Sequence, residues 1–481
     1  MTSSPRIYIS GVLDTGPKFA MQAWNWILSL RSVGAHQSAT IVLHYLPGVA
    51  VSSLKTFQQL GVITVPISAF GSGPAAYCNK IQQLRSGAFH CADFVILSDL
   101  DIAFLEDPTR LATGNKIRAK IVDLPKPPEP VWRSLLARFG FHSDVEIRPT
   151  DFSSNVATLA TNFNGGLYVL PQAAIEALQN SWPEWAQRCL DSEDLLKKQL
   201  KHSDQLGFAL AVLNDRLEWE ALESRNNFPT HFAKDSYLTR EAESLSALHY
   251  HGNVDSHGLP KTVGIQWIDD QINRAADAIR QARRSLFSNE IFWDFRYLHD
   301  PGLGSGLGSR DEPLNIKRNI ILPFLEMFSE QRVIDLGCGD LEATRNATCE
   351  DYLGLDISFS ALDVARTKRP DWRFSSVDIA DLQTGACDLL LCLDLLIHQD
   401  SNDKFQALIA NMLRVSNAAI IVSGYEQEPS ASGIIFYHQA LADAFAQHGK
   451  VHRVVRIGGY RDVGVFLVVL KGFRISRSVS P

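Results

Sequence analysis

Apolar and polar positions fall into two series of short runs. RIYISGV (6–12), ATIVLHYL (39–46), VITVPI (62–67) and DFVILSD (93–99) each read as a strand. Amphipathic stretches such as KFAMQAWNWILSLRSV separate them, the spacing of βα units. The second series is RVIDLG (332–337), DYLGLDI (351–357), WRFSSVDI (372–379), CDLLLCLD (387–394) and AAIIVSGY (418–425). VHRVVRI and VGVFLVVL follow it around GGYRD, the pattern of an antiparallel hairpin. Between the series, 264–295 carries apolar residues at helical spacing, and the glycine- and serine-rich 300–313 is expected to be mobile. The pattern predicts an α/β chain of two domains, 1–264 and 265–481. A helical leader and the glycine-rich segment occupy 265–315, and the helix is expected to join or cover the second domain.

Composition narrows the function. With 481 residues, 45% hydrophobic and 21% charged, the chain can bury two cores. A net charge of -7 without a block of basic residues disfavours a nucleic-acid partner. Seven scattered cysteines without CxxC spacing indicate neither a zinc site nor a disulfide framework. The first residues lack a basic and apolar leader, and no run approaches the ~20 apolar residues of a membrane span, so the expectation is a cytoplasmic protein without a transmembrane segment.

The run FVILSDLDIAF (94–104) ends a strand on two acids. In extended backbone, side chains at i and i+2 point the same way, so Asp99 and Asp101 can share a hard divalent cation. The alternative is that both cap a turn or the next helix. The ordered set YCNKIQQL, SDLDIAF, NFNGGLYVL, HSDQLGF and LHYHGN resembles the GT-A fold glycosyltransferases, in particular the glycogenin and lipopolysaccharide galactosyltransferase-like family, over about residues 1–260.

That resemblance implies a GT-A Rossmann-like nucleotide-sugar domain in which Asp99, Asp101 and His249 hold Mn²⁺ or Mg²⁺ against the diphosphate of a UDP-sugar. An imidazole ligand favours Mn²⁺. It also implies that Lys80 lies beside the donor, that Asn164, Gly165 and Gly166 form the turn meeting the donor sugar, and that Asp204 and Gln205 are the catalytic pair near the transferring carbon. For His249 and His251 the alternative is hydrogen bonding at a strand end. One departure stands out: HYHGNVDSH keeps His249 and Gly252 but places Asp255 where the family carries lysine, leaving Lys261 as a substitute.

VIDLGCGD (333–340) follows a strand and precedes a helix, and Asp356 ends the next strand. Dinucleotide folds and methyltransferases both place a carboxylate there to accept ribose hydroxyls. A dinucleotide fingerprint needs glycine where Glu342 stands, which disfavours NAD. The pattern resembles motif I of class I S-adenosylmethionine-dependent methyltransferases, whose Rossmann-like order residues 290–481 follow. The resemblance implies that Gly337 and Gly339 meet the methionine part of S-adenosylmethionine and that Asp335 supports its ammonium end. Asp356 would bind the ribose, and Asp378 and Ile379 would lie beside adenine.

Asp394 and His398, in CLDLLIH, would lie above the reacting methyl. His398 is either the base that takes a hydroxyl proton or a helix cap; Asp394 either orients substrate or ends a strand. Leu341 stands where a third glycine is frequent. The leader FWDFRYLHDPGLGSGLGSRDEP is either a closing flap or a linker.

Together these features indicate a bifunctional enzyme that transfers a sugar to a glycan or other acceptor and methylates the product or its acceptor. The alternative is an active methyltransferase carrying a non-catalytic glycan-binding or scaffold module.

Overall fold

The computed structural model describes residues 4–142, 144–153, 156–377, 385–430 and 433–472. Two compact units divide between Ala282 and Arg283.

In the first unit the strands are β1 (Ile7–Leu13), β2 (Thr40–Tyr45), β3 (Ile63–Pro66), β4 (Phe94–Ser98), β5 (Ile102–Phe104), β6 (Ile117–Ile121), β7 (Ile147–Pro149), β8 (Ala157–Leu159), β9 (Phe163–Pro171), β10 (Trp219–Ala221), β11 (Phe228–Pro229) and β12 (Ala247–His249). Seven of them form one sheet in the order β10-β6-β9-β4-β1-β2-β3. β1, β2, β3 and β4 run parallel, and β9 enters antiparallel between β4 and β6. The chain moves to one side from β1 through β2 and β3, then returns to β4 on the other side, which opens a crevice at the strand ends beside β1 and β4.

Helix Pro17–Ser32 fills one face, with Trp24, Trp26 and Leu30 fully buried. Each such side chain contributes roughly 1.5–3 kcal/mol. Tyr168 of β9 stacks on Phe208 of helix Ser203–Asn214, ring centroids 4.1 Å apart, which fixes that helix beside the crevice. A small second sheet, β11-β12-β5, pairs His249 with Ile102.

The segment 264–295 forms two helices, Gln266–Arg283 and Asn289–His299. The second starts where Ser288 Oγ accepts from Ile291 N. The first packs on the N-terminal unit, contrary to the boundary expected at 264. Gln271 accepts from Leu245 N (2.7 Å) and donates to Glu243 O (2.6 Å), and Ile268, Ile272 and Ile279 are fully buried.

The second unit continues the strand series with β13 (Arg332–Leu336), β14 (Asp351–Asp356), β15 (Arg373–Ser376), β16 (Cys387–Cys392), β17 (Ser416–Tyr425), β18 (Val451–Tyr460) and β19 (Val463–Leu470). Their order is β15-β14-β13-β16-β17-β19-β18. β19 is antiparallel to both neighbours, so the expected terminal hairpin is present. The near-continuous apolar runs of β13, β16 and β17 match strands covered on both faces. Here too the strand order reverses between β13 and β16. Among the described residues no helix is long and apolar enough to cross a membrane.

Candidate functional site

In the first unit a cavity of about 450 Å³ opens at the end of β4. Its walls bring together Lys80, Asp99, Asp101, Asn164, Gly165, Gly166, Asp204, Gln205 and His249. The register explains why. Asp99 follows β4 and its N–H donates to Gly166 O (2.9 Å), so the glycine turn faces the acids. Asp101 precedes β5, whose pairing with β12 sets Asp101 beside His249; Tyr250 N donates to Asp101 O (3.0 Å).

His249 Nε2 lies 3.3 Å from Asp101 Oδ1 and 3.9 Å from Asp99 Oδ2. One ligand atom from each residue falls within 4.8 Å of the other two, a spacing that fits one cation. The imidazole orientation follows from a chain of donors. Asp123 is acceptor-only, so Asn164 turns its Nδ2 toward Asp123 Oδ2 (2.6 Å) and its Oδ1 toward Gly166 N (2.9 Å) and Asn227 Nδ2 (3.1 Å). Asn227 therefore presents Oδ1 to His249 Nδ1 (3.0 Å), which must carry hydrogen, and Nε2 is left for the acids or a cation. Behind Asp123 stands Lys120, 1% exposed, donating to Asp123 and lying 3.3 Å from Asp151.

Lys80 Nζ is 2.5 Å from Asp99 Oδ1 and donates to Gly165 O. Burial opposes its charge, but Asp99, then Asp204, hold the ammonium above its ordinary value. Burial likewise opposes ionisation of Asp101, yet His249 holds its carboxyl below the usual range. Burial pushes Asp204 up to about 6, against the attraction of Lys80. Gln205 Oε1 accepts from Gly165 N (3.2 Å).

Gly166 is required by space: a Cβ there would lie 2.6 Å from the His249 ring. Asp255 does not face the cavity; its Oδ1 accepts from His257 N (2.8 Å) and Leu259 N (2.9 Å), closing a turn, and Lys261 is not among the wall residues. His251 stacks on His249, centroids 3.9 Å apart.

In the second unit Gly337 and Gly339 take φ +70 and +54 after β13. Gly339 N donates to Asp356 Oδ2 (2.9 Å), and Ser358 N to Asp356 Oδ1 (2.9 Å), so the loop and the next strand end are joined by one carboxylate. Burial pushes that carboxyl up to about 6. Asp335 is also pushed to about 6 by burial and accepts from Tyr352 OH (2.5 Å) within the core.

Asp394, at φ +57, is engaged by Lys317 (2.6 Å), Ser423 (2.8 Å) and Tyr460. Burial opposes its charge, but Lys317 holds its carboxyl below the usual range. His398 Nδ1 donates to Ile434 O (2.6 Å), which leaves Nε2 as the basic nitrogen, and Trp293 packs on its ring. Its pKa is lowered, chiefly by burial. Asp378 and Ile379 lie outside the described residues.

The leader lies on the glycine loop. Tyr297 OH and Ser305 Oγ are 2.6 Å apart, Ser305 donates to Asp340 (2.8 Å), and Arg310 pairs with Asp340 (2.6 Å). Sequence reasoning missed Asp123, Asn227 and Lys317, which stand in no recognisable motif, and also Asp340 and Tyr460, which lie in the VIDLGCGD and GGYRD stretches but were given no role.

Residues 334–421 match the family model described as a methyltransferase domain. Among solved structures, magnesium protoporphyrin IX methyltransferase from Synechocystis PCC 6803 aligns over 40% of this chain and 89% of its own, at 19% identity and TM-score 0.27. The N-methyltransferase NodS from Bradyrhizobium japonicum WM9 aligns over 34% and 91%, at 15% identity and TM-score 0.29. The galactosyltransferase LgtC, in complex with donor and acceptor sugar analogs, aligns over 57% and 95%, at 14% identity and TM-score 0.37. A search of curated proteins gave no match.

Proposed function

We propose that the chain is a bifunctional transferase. Its first unit moves a sugar from a UDP-sugar to a glycan or other acceptor with Mn²⁺ or Mg²⁺, and its second O-methylates that glycan or acceptor with S-adenosylmethionine. One observation carries the first half: Asp99, Asp101 and His249 converge in the wall of the same cavity as Lys80, the Gly165–Gly166 turn, Asp204 and Gln205.

A cation held by the three ligands would offset the charge of the departing nucleoside diphosphate. Lys80 adds a fixed positive charge at the same end. The turn at Asn164, Gly165 and Gly166 admits the sugar ring close to backbone. Asp204 and Gln205, at the start of helix Ser203–Asn214, supply oxygens for the positive charge that develops on the sugar.

In the second unit the Gly337 and Gly339 backbone and the Asp356 carboxylate suit the methionine and ribose parts of S-adenosylmethionine, which supplies an electrophilic methyl group. His398, neutral and held through Nδ1, takes the hydroxyl proton at Nε2. Asp394 acts through Lys317 and Tyr460 as a positioning residue.

The module reading draws on Asp255, which is turned away from the cavity where the resembled family places lysine. Hydrolysis of UDP-sugars with Mn²⁺ separates the two. Turnover in the intact chain that is lost in Asp99→Ala and in Asp101→Ala supports transfer; no turnover with any donor supports the module.

A further inference from the structure

The cavity wall carries more positive charge than the donor end accounts for. Lys126 and Lys201 line it as well, both exposed, and neither forms an ion pair among the described residues. None of the wall carboxylates pairs with either lysine. Asp99 and Asp101 face His249, Asp123 is engaged by Lys120 and Asn164, and Asp204 lies in the field of Lys80. The two lysines are therefore unspent cations at a site that opens to solvent.

Lys201 and His202 immediately precede the helix that carries Asp204 and Gln205, so they stand next to the catalytic pair and not among the cation ligands. Both lysines act on His202. Burial, then the charges of Lys201 and Lys126, push its imidazole down to about 4. Its Nε2 is buried without a hydrogen-bond partner, and the ring lines the cavity. Lys126 also acts on His231 of the same wall. A saccharide in this cavity thus lies beside two exposed cations and a neutral imidazole whose buried Nε2 has no partner.

Resting on the transfer reading above, we infer that Lys126, Lys201 and His202 form an acceptor subsite selective for a saccharide bearing an anionic group, a carboxylate or a phosphate. Long-range attraction from the lysines concentrates such an acceptor at the cavity mouth. Charge-assisted hydrogen bonds from the ammonium groups then fix its orientation toward the transferring carbon.

Calorimetric titration of the full chain, loaded with UDP and Mn²⁺, tests this with methyl glucuronide, glucose 6-phosphate and uncharged methyl glucoside; the first two separate carboxylate from phosphate. At least one anionic sugar is expected to bind about tenfold tighter than methyl glucoside, and the Lys126→Gln/Lys201→Gln variant to bring that ratio to about one. Because both side chains are exposed, the thermal midpoint reports that the variant is folded.

Equal affinities, no binding by any of the three, an anion preference that persists in the variant, or a loss confined to UDP affinity would each overturn the inference. Metal-dependent hydrolysis of a UDP-sugar by the unmodified chain, measured in parallel, reports on the transfer reading separately.

Discussion

Asn227 Oδ1 lies 3.0 Å from His249 Nδ1, and that contact aims His249 Nε2 at Asp99 and Asp101. A ligand whose far nitrogen is held in this way binds with its ring already oriented, and removing such a partner typically weakens metal affinity about 10–100-fold. Asn227→Ala is therefore expected to lower Mn²⁺ affinity by that factor in a calorimetric titration, whereas Asn227→Asp, which keeps the acceptor for His249 but gives up the donor to Asn164, falls between the two. Equal affinities in all three proteins would remove the relay from the account.

Gly166 sets the clearance on the other side of the same ring. An alanine methyl there would stand 2.6 Å from His249 Cε1 and Nδ1 and 3.0 Å from Asn164 Oδ1. The imidazole must move, since the turn itself is fixed by Gly166 N donating to Asn164. Gly166→Ala is expected to cost at least about tenfold in Mn²⁺ affinity while shifting the thermal midpoint little. A large drop in midpoint with unchanged affinity would mean that the turn, not the ring, yields.

Asp99 and Asp101 could be read as a pair from their i, i+2 spacing, although the expected extended backbone is a turn at Leu100 and Asp101, between β4 and β5, that brings the two acids together. The acids, glycines and strand ends of both units were legible for the same reason: each motif is local. Asn227 and Asp123 were not, because they reach His249 and Asn164 only through the pairing of β11 with β12 and the return of the chain after β6. The helix Gln266–Arg283 shows a different limit. Its apolar stripe announced a covered face but not the surface that covers it, and Gln271, a polar residue, makes the backbone contacts that assign it to the first unit. Lys126 and Lys201 were unreadable as well, since an exposed lysine without a partner looks like any solvated one.

The second unit yields a pH dependence. Asp356 is pushed up to about 6 by burial, with Asp294, Asp335, Tyr297 and Cys338 as its titratable or charged neighbours. In the proposed cofactor site the ribose hydroxyls would donate to this carboxylate, so protonation would remove an acceptor. S-adenosylhomocysteine affinity is expected to fall as pH drops through about 6, and Asp356→Asn to flatten that fall. For stability the sign is opposite. The raised value favours the fold below the ordinary carboxylate range, and that contribution is lost as pH rises through about 6. Affinity constant between pH 5 and 8 would contradict the assignment.

Leu341 sits at φ +60, where leucine costs about 1–2 kcal/mol, yet its side chain is 1% exposed. Leu341→Gly relieves the backbone but forfeits burial worth about 2–5 kcal/mol and adds chain entropy. The expected outcome in urea unfolding is a net loss of roughly 2 kcal/mol. A gain in stability would show that backbone strain dominates at this position.

The first unit stands or falls on a cation shared by Asp99, Asp101 and His249. A Mn²⁺ titration followed by electron paramagnetic resonance, with and without UDP, measures it directly. The expected result is about one ion per chain, bound more tightly when UDP is present and lost in Asp101→Ala and His249→Ala variants that remain folded. Full Mn²⁺ binding by those variants, or affinity indifferent to UDP, would contradict it.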